Sequence, residues 1–200
     1  MGSVEVRRAT LDDVDTLGDV LGRAFCDDPI WQWVYPQSDR TRRLQKMFRA
    51  LLRAAVARGA TVLTDPNRRG AAIWQPSHDR SFGVGGSLRT GWSMVSGGAR
   101  MRRGIALMRI TEARHPKEPH WYLAVLGTDP AHQGHGVGSA LVRHVVEATA
   151  NTETPAYLET ETEANVAYYD RLGFRVIDEV DVGRDGPHLW LMWRDAPLGG

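Results

Sequence analysis

The most constraining stretch of this 200-residue chain is Asp129-Pro130-Ala131-His132-Gln133-Gly134-His135-Gly136-Val137-Gly138-Ser139. It follows His120 to Thr128, an apolar run without a charged residue, as expected of a central strand covered on both faces. It runs into Gly134 to Ala150, where Val137, Leu141, Val145 and Ala148 recur a turn apart and predict a helix. Glycines at alternate positions let the backbone turn tightly and present N–H groups outward. Together with the positive end of the helix dipole, these make an anion site suited to a pyrophosphate. Nothing in the loop is acidic after Asp129. A Walker A loop would need a lysine, which is missing here. A dinucleotide fingerprint would need glycine where Ser139 stands.

The rest of the chain reads as an α/β alternation. Val4 to Arg8 predicts a first strand, and Thr10-Leu11-Asp12-Asp13 opens a helix with a threonine cap and acidic first turn. Cys26 to Ser38, with Pro29, Pro36 and three aromatics, reads as a shaped loop. A second helix is expected from Asp39 to Arg58, stopped by Gly59. Thr61 to Thr64 and Gly70 to Gln75 predict a hairpin around Asp65-Pro66-Asn67. Residues 77 to 118 are interrupted by glycines but suggest one or two helices. Ala156 to Glu161 is expected as a strand and Asn165 to Leu172 as a short helix closed by Gly173. Phe174 to Val182 and His188 to Trp193 complete the pattern as a terminal hairpin.

Length favours one domain, able to bury about 70% of its unfolded surface. Lys and Arg number 25 against 24 Asp and Glu, a formal net charge of +1. That is too weak a field for nonspecific binding to nucleic acid or to an anionic membrane. One cysteine, Cys26, excludes a disulfide framework and a cysteine-rich metal site within one chain. His120 and His144 lack metal-ligand spacing, so no metal is expected. The charged N-terminus is unlike a signal peptide, and no run approaches 18 apolar residues. These features predict a soluble cytoplasmic protein.

A second motif, Asn165-Val166-Ala167-Tyr168-Tyr169-Asp170-Arg171-Leu172-Gly173-Phe174, lies 32 residues past Gln133 with a strand between. The glycine loop after Asp-Pro, followed at this spacing by N…YY…LGF, resembles the GNAT superfamily of N-acetyltransferases. The stretch Pro116 to Ala124, with Pro155-Ala156-Tyr157-Leu158-Glu159-Thr160, resembles more closely the puromycin N-acetyltransferases and their relatives. The resemblance implies a single domain over residues 1–200, an α/β (α+β) fold. Its one mixed, largely antiparallel sheet is flanked by helices and holds a central parallel strand pair. Residues 116–194 would form the acetyl-CoA-binding and catalytic half, and 1–115 the acceptor-shaping half.

The implied reaction is direct attack by the primary amine of a small molecule on acetyl-CoA in a ternary complex. By resemblance, Gln133, Gly134, His135, Gly136, Val137, Gly138 and Ser139 hold the pyrophosphate. The strand backbone at Leu126, Gly127 and Thr128 pairs with pantetheine, and Asn165 either contacts pantetheine or caps its helix. Tyr169 matches the tyrosine that protonates the leaving thiolate, with Tyr168 one residue away as competitor. Glu159 matches a glutamate of the puromycin-type enzymes and is the first candidate for general base, followed by Glu161 and by Asp27 or Asp28. Tyr157, Glu159 and Glu161 share one face by strand alternation. Trp31, Trp33 and Tyr35 would supply a flat wall for an aromatic acceptor, with Trp74 and Trp92 adding to the cavity. Two other readings are a protein or peptide N-acetyltransferase and a non-catalytic acyl-CoA-binding sensor.

Overall fold

The computed structural model describes residues 4–36, 38–77, 98–149 and 154–196. Residues 78–97 of the glycine-interrupted stretch, Trp92 included, lie outside the described residues. One seven-stranded sheet, in the order β1-β2-β3-β4-β5-β7-β6, organises the chain. Its strands are β1 (Arg7–Arg8), β2 (Thr61–Thr64), β3 (Gly70–Pro76), β4 (Trp121–Thr128), β5 (Ala156–Thr160), β6 (Arg175–Asp181) and β7 (His188–Arg194). All neighbours run antiparallel except β4 and β5, which are parallel. This is the mixed sheet with a central parallel pair that the resemblance implies.

Six α-helices are described: α1 (Val14–Ala24), α2 (Pro29–Val34), α3 (Arg40–Ala57), α4 (Gly98–Arg114), α5 (Val137–Ala148) and α6 (Glu163–Asp170). Strand alternation splits the core into two layers. On one face Val62, Ala71, Ile73, Tyr122 and Tyr157 pack against residues of α1, α2, α3 and Leu107 of α4. On the other, Leu63, Ala72, Trp74, Leu123 and Leu158 pack against Leu141 and Val145 of α5 and Tyr169 of α6.

The entry into α1 is fixed by Asp13, whose carboxylate accepts two 2.8 Å hydrogen bonds from Arg7 and one of 2.9 Å from the Thr10 amide. The Arg7 hydrogen bonds hold the buried Asp13 carboxyl down at about 2. The segment expected as a loop contains α2. Asp28 caps it, accepting from the amides of Ile30 at 3.0 Å and Trp31 at 3.2 Å, while Pro29 occupies the first turn, where its missing N–H costs nothing.

The site is set by an interruption in the sheet. β4 pairs with β5 only at Trp121↔Ala156 and Tyr122↔Tyr157, although β4 continues to Thr128. On its other edge β4 pairs with β3, with Trp74 opposite Leu123 and Ile73 opposite Val125, so Ala124 is an extra residue, a β-bulge. The bulge resets the alternation. Tyr122, Ala124 and Val125 face α1 and α3, whereas Leu123 and Leu126 face α5. The edge of β4 that faces β5 is thus without a paired strand from Leu123 onward.

Candidate active site

The glycine loop is held at both ends and open between them. At its start Asp129 accepts from the Ala131 amide at 3.1 Å and is ion-paired with Arg23 of α1. At its end Val137 is buried and anchors the first turn of α5. Between them residues 130–136 are exposed. Gly134 and Gly136 have φ of +76° and +80°, a left-handed conformation that side chains disfavour. A Cβ on either would meet nothing within 4 Å, so these glycines serve backbone conformation and leave the space above the loop free. The first-turn amides of α5 have no partner inside the helix. An open cradle of glycine backbone at the positive end of a 12-residue helix fits a diphosphate.

The adjacent tyrosines of α6 have different surroundings. The Tyr168 hydroxyl accepts from Ser139 Oγ at 3.3 Å, tying α6 to the start of α5. A Cβ on Gly138 would come within 2.9 Å of that hydroxyl, so glycine is needed there for close approach. Tyr169 is buried, its ring edge-on to Phe174 at 5.9 Å. Burial, with smaller effects from Tyr168 and Glu161, pushes the Tyr169 phenol far above its ordinary range. It therefore stays protonated at neutral pH and available as a donor. The α6 cap is Thr162, which accepts from the Asn165 amide at 3.2 Å. Asn165 itself is an exposed residue in the first turn of α6 and does not cap it.

The acids occupy the opposite side of the opening. Glu159 is almost enclosed, its side chain 9% exposed. Its Oε2 accepts from the Tyr122 hydroxyl at 2.6 Å and its Oε1 from Tyr157 at 2.9 Å. Both phenols are driven well above their ordinary range, first by burial and then by the Glu159 charge. His115, just past α4, places its Nδ1 3.8 Å from Glu159 Oε1. Glu161, one turn of the pleat further on, shares a hydrogen bond with Asp28 of the α2 cap. Burial raises both, Asp28 to about 6 and Glu161 well above its usual range, the latter pushed further by the Asp28 charge. The field of Glu161 also reaches Tyr169 and Tyr122, so the acids and the buried phenols converge on the gap between β4 and β5.

The structure brings together most of the residues singled out in the sequence. Gln133 to Ser139, Tyr168, Tyr169, Glu159, Glu161 and Asp28 all surround the β4 opening or the loop that follows it. Leu126, Gly127 and Thr128 lie on the unpaired length of β4, with Gly127 packed so closely on α1 that a Cβ would sit 2.7 Å from Leu21 Cδ2. No contact ties the Asn165 side chain to the group. Tyr122 and His115 were missed. Tyr122 was legible in principle, since a parallel partner of Tyr157 points to the same face. The expected aromatic wall is corrected. Trp31 and Tyr35 are 8% and 3% exposed, Trp31 is edge-on to Phe48, and Trp74 is fully buried on the opposite face. Among the described residues of that wall only Trp33 is half-buried, with the Arg103 guanidinium 5.4 Å above its ring. Among the described residues no helix is long and apolar enough to cross a membrane.

Comparison with known proteins agrees with this architecture. Residues 97–174 match the model of the acetyltransferase (GNAT) family. A 5-NmdU N-acetyltransferase of Pseudomonas phage PaMx11 is 26% identical over 117 residues, 58% of this chain and 80% of the phage protein. The solved structure of histone acetyltransferase HPA2 and related acetyltransferase from Corynebacterium glutamicum superposes with a TM-score of 0.70 at 26% identity, covering 99% of both chains. A Drosophila melanogaster polyamine N-acetyltransferase shares the fold with a TM-score of 0.65 at 15% identity, covering 96% of this chain and 99% of its own. Residues 97–174, which carry the glycine loop, the split of the sheet and the buried tyrosine, thus form an acetyltransferase domain of the GNAT family.

Proposed function

We propose that the protein transfers an acetyl group from acetyl-CoA to the primary amine of a small molecule, by direct attack within a ternary complex. The observation that carries this reading is the parting of β4 from β5 after Tyr122↔Tyr157, with a protonated phenol on one side of the gap and carboxylates on the other. Residues 116–194 serve the donor and 1–115 shape the acceptor site. Gln133 to Ser139 hold the pyrophosphate, and the free edge at Leu126, Gly127 and Thr128 pairs with the pantetheine amides. Asn165, exposed on α6 and relieved of the capping role, contacts pantetheine.

Acetyl-CoA supplies an activated acyl carbon and a thiolate leaving group. Glu159 takes the proton that makes the amine nucleophilic, and the Tyr169 hydroxyl gives a proton to the departing sulfur. That hydroxyl is restored by the second N–H proton, which leaves the nitrogen as the amide forms. Tyr122 and Tyr157, each donating to one carboxylate oxygen, fix the Glu159 side chain in place. The Asp28 and Glu161 pair supplies negative potential that draws a cationic amine toward the gap. A small-amine class also appears in the name of one similar protein, polyamines for the Drosophila enzyme. No step calls for a metal ion. The setting we propose is the cytoplasm, with no nucleic-acid or membrane partner.

Thiol release from acetyl-CoA, measured against small amines with and without aromatic bodies and against lysine peptides, tests this proposal. Turnover of small primary amines is the expected result. Turnover of peptides alone would make it a protein acetyltransferase, and acetyl-CoA binding with no turnover of any amine would make it a sensor.

A further inference from the structure

Two histidines behind Glu159 have no part in the reaction as described above. His120 is buried, and its Nδ1 lies 2.7 Å from the Glu118 carbonyl oxygen. A carbonyl only accepts, so Nδ1 of His120 carries the proton. Burial lowers the His120 imidazole below its ordinary range, which keeps the ring neutral and leaves its Nε2 as a lone pair. The Nε2 of His115 lies 3.1 Å from that lone pair and must therefore be the donor. The chain of assignments ends at His115 Nδ1. It is enclosed, has no hydrogen-bond partner, and faces Glu159 Oε1 at 3.8 Å. With Nε2 already protonated, a neutral His115 presents a bare lone pair there. Two acceptors thus face one another at 3.8 Å, and a proton between them would draw them into a hydrogen bond.

We propose that His115 is a positioning residue of the transferase reaction, receiving at Nδ1 the proton that Glu159 removes from the acceptor amine. This inference rests on the proposed role of Glu159 as base. The balance is simple. The ammonium gives a proton to the Glu159 carboxylate, leaving the free amine. The carboxylic acid passes that proton to His115 Nδ1, which restores the carboxylate beside an imidazolium. The imidazolium remains hydrogen-bonded through Nε2 to His120 and, with Nδ1 enclosed, returns the proton through Glu159 to water once the products leave the gap. The net result is one proton released per acetyl group transferred.

The surroundings suit a charge that comes and goes. Glu159 and Tyr157 approach the His115 ring from β5, Tyr122 from β4, and His120 from the segment before β4. Both tyrosine rings meet it edge to face, at 5.1 Å and 4.9 Å. The next charges are Glu118, acting on His120, and Asp178 of β6, ion-paired with Arg114 and acting on Tyr157. Pro116 and Pro119 stiffen the short link between the two histidines.

The test has a spectroscopic arm and a kinetic one. Nitrogen-15 NMR of the imidazoles in the wild-type protein is expected to show His120 as the Nδ1–H tautomer and His115 as Nε2–H above its titration. His115 found as Nδ1–H, already donating to Glu159, would overturn the proposal whatever the variants do. In the kinetic arm, His115→Gln is expected to lower kcat about tenfold with KM for acetyl-CoA unchanged. It should also move the acidic limb of the kcat profile away from the His115 titration seen by NMR. His115→Asn is expected to behave alike. A folded His115→Gln with wild-type kcat and an unmoved acidic limb would remove the relay while leaving Glu159 as base. Full turnover by Glu159→Gln would instead sink the reading of the base itself.

Discussion

Tyr168 and Tyr169 are neighbours in sequence yet face different groups, one bonded to Ser139 at the glycine loop and one buried against Phe174. That difference sets distinct expectations for their removal. In the proposed reaction Tyr169→Phe takes away a proton needed only as the thiolate forms, so kcat should fall on the order of 10²-fold with acetyl-CoA affinity preserved. Tyr168→Phe should instead weaken acetyl-CoA binding and leave kcat nearly intact. Steady-state kinetics with calorimetry of both variants separates the two roles, and the reverse pattern would exchange them. Asp28 gives a second expectation at this scale. Its native value of about 6 lies above the ordinary 3.8, so the folded state holds the proton more tightly than the unfolded chain. The associated stability is complete below about pH 4 and is lost as pH rises through 6. Asp28→Asn keeps an oxygen for the α2 cap and removes one charge facing Glu161. Urea unfolding should show the variant more stable than wild type at pH 8, and close to it at pH 4. Partial exposure of both acids screens the repulsion and keeps the gain on the order of 1 kcal/mol.

Among the elements, those with strong periodicity were legible and those defined by partners were not. The α3 helix, expected over Asp39 to Arg58, forms over Arg40–Ala57 because its apolar stripe alone specifies the buried face. The 61–75 hairpin followed from the turn chemistry of Asp65, which accepts from the amides of Asn67 and Arg69. The α2 helix was hidden by its brevity and its prolines, although Asp28-Pro29 is itself a start signal. In the candidate site, the glycine loop was readable from its place between strand and helix, whereas the roles proposed for Tyr169 and Glu159 came from the resemblance. His115 was not readable, since its position depends on how α4 returns to the sheet. The aromatic wall failed because spacing tells which residues share a side, not whether that side is open. The loop yields a prediction of its own. Gly136→Val forces a β-branched residue into φ +80° and fills the free space above the loop, while clashing with nothing in the protein. The variant should fold with a penalty of about 1–2 kcal/mol and lose acetyl-CoA affinity by at least about tenfold. Calorimetry returning unchanged affinity would remove the loop from the binding site.

For the whole molecule, the split sheet makes folding and ligand binding parts of one equilibrium. The strands β1 to β4 meet β5, β7 and β6 through only two recorded β4–β5 pairs, so a ligand laid along the free edge of β4 adds contacts where the halves part. Acetyl-CoA at about 100 times its dissociation constant should stabilise the fold by about 2.7 kcal/mol, visible as a rise in Tm. Gly136→Val should show little of that rise, and an equal rise in both proteins would place the ligand elsewhere. Unpaired strand edges also invite pairing with other chains. The sheet's outer edges discourage such contact: β1 is only two residues long, and β6 carries Arg175, Asp178, Glu179 and Asp181. The β4 edge has neither defence, yet it lies inside the sheet, between strands of the same chain. A second protein chain must force the halves apart to reach it, whereas a narrow extended molecule need not. Confining its most adhesive edge to its own interior, the protein remains receptive to a ligand while denying a template to its neighbours.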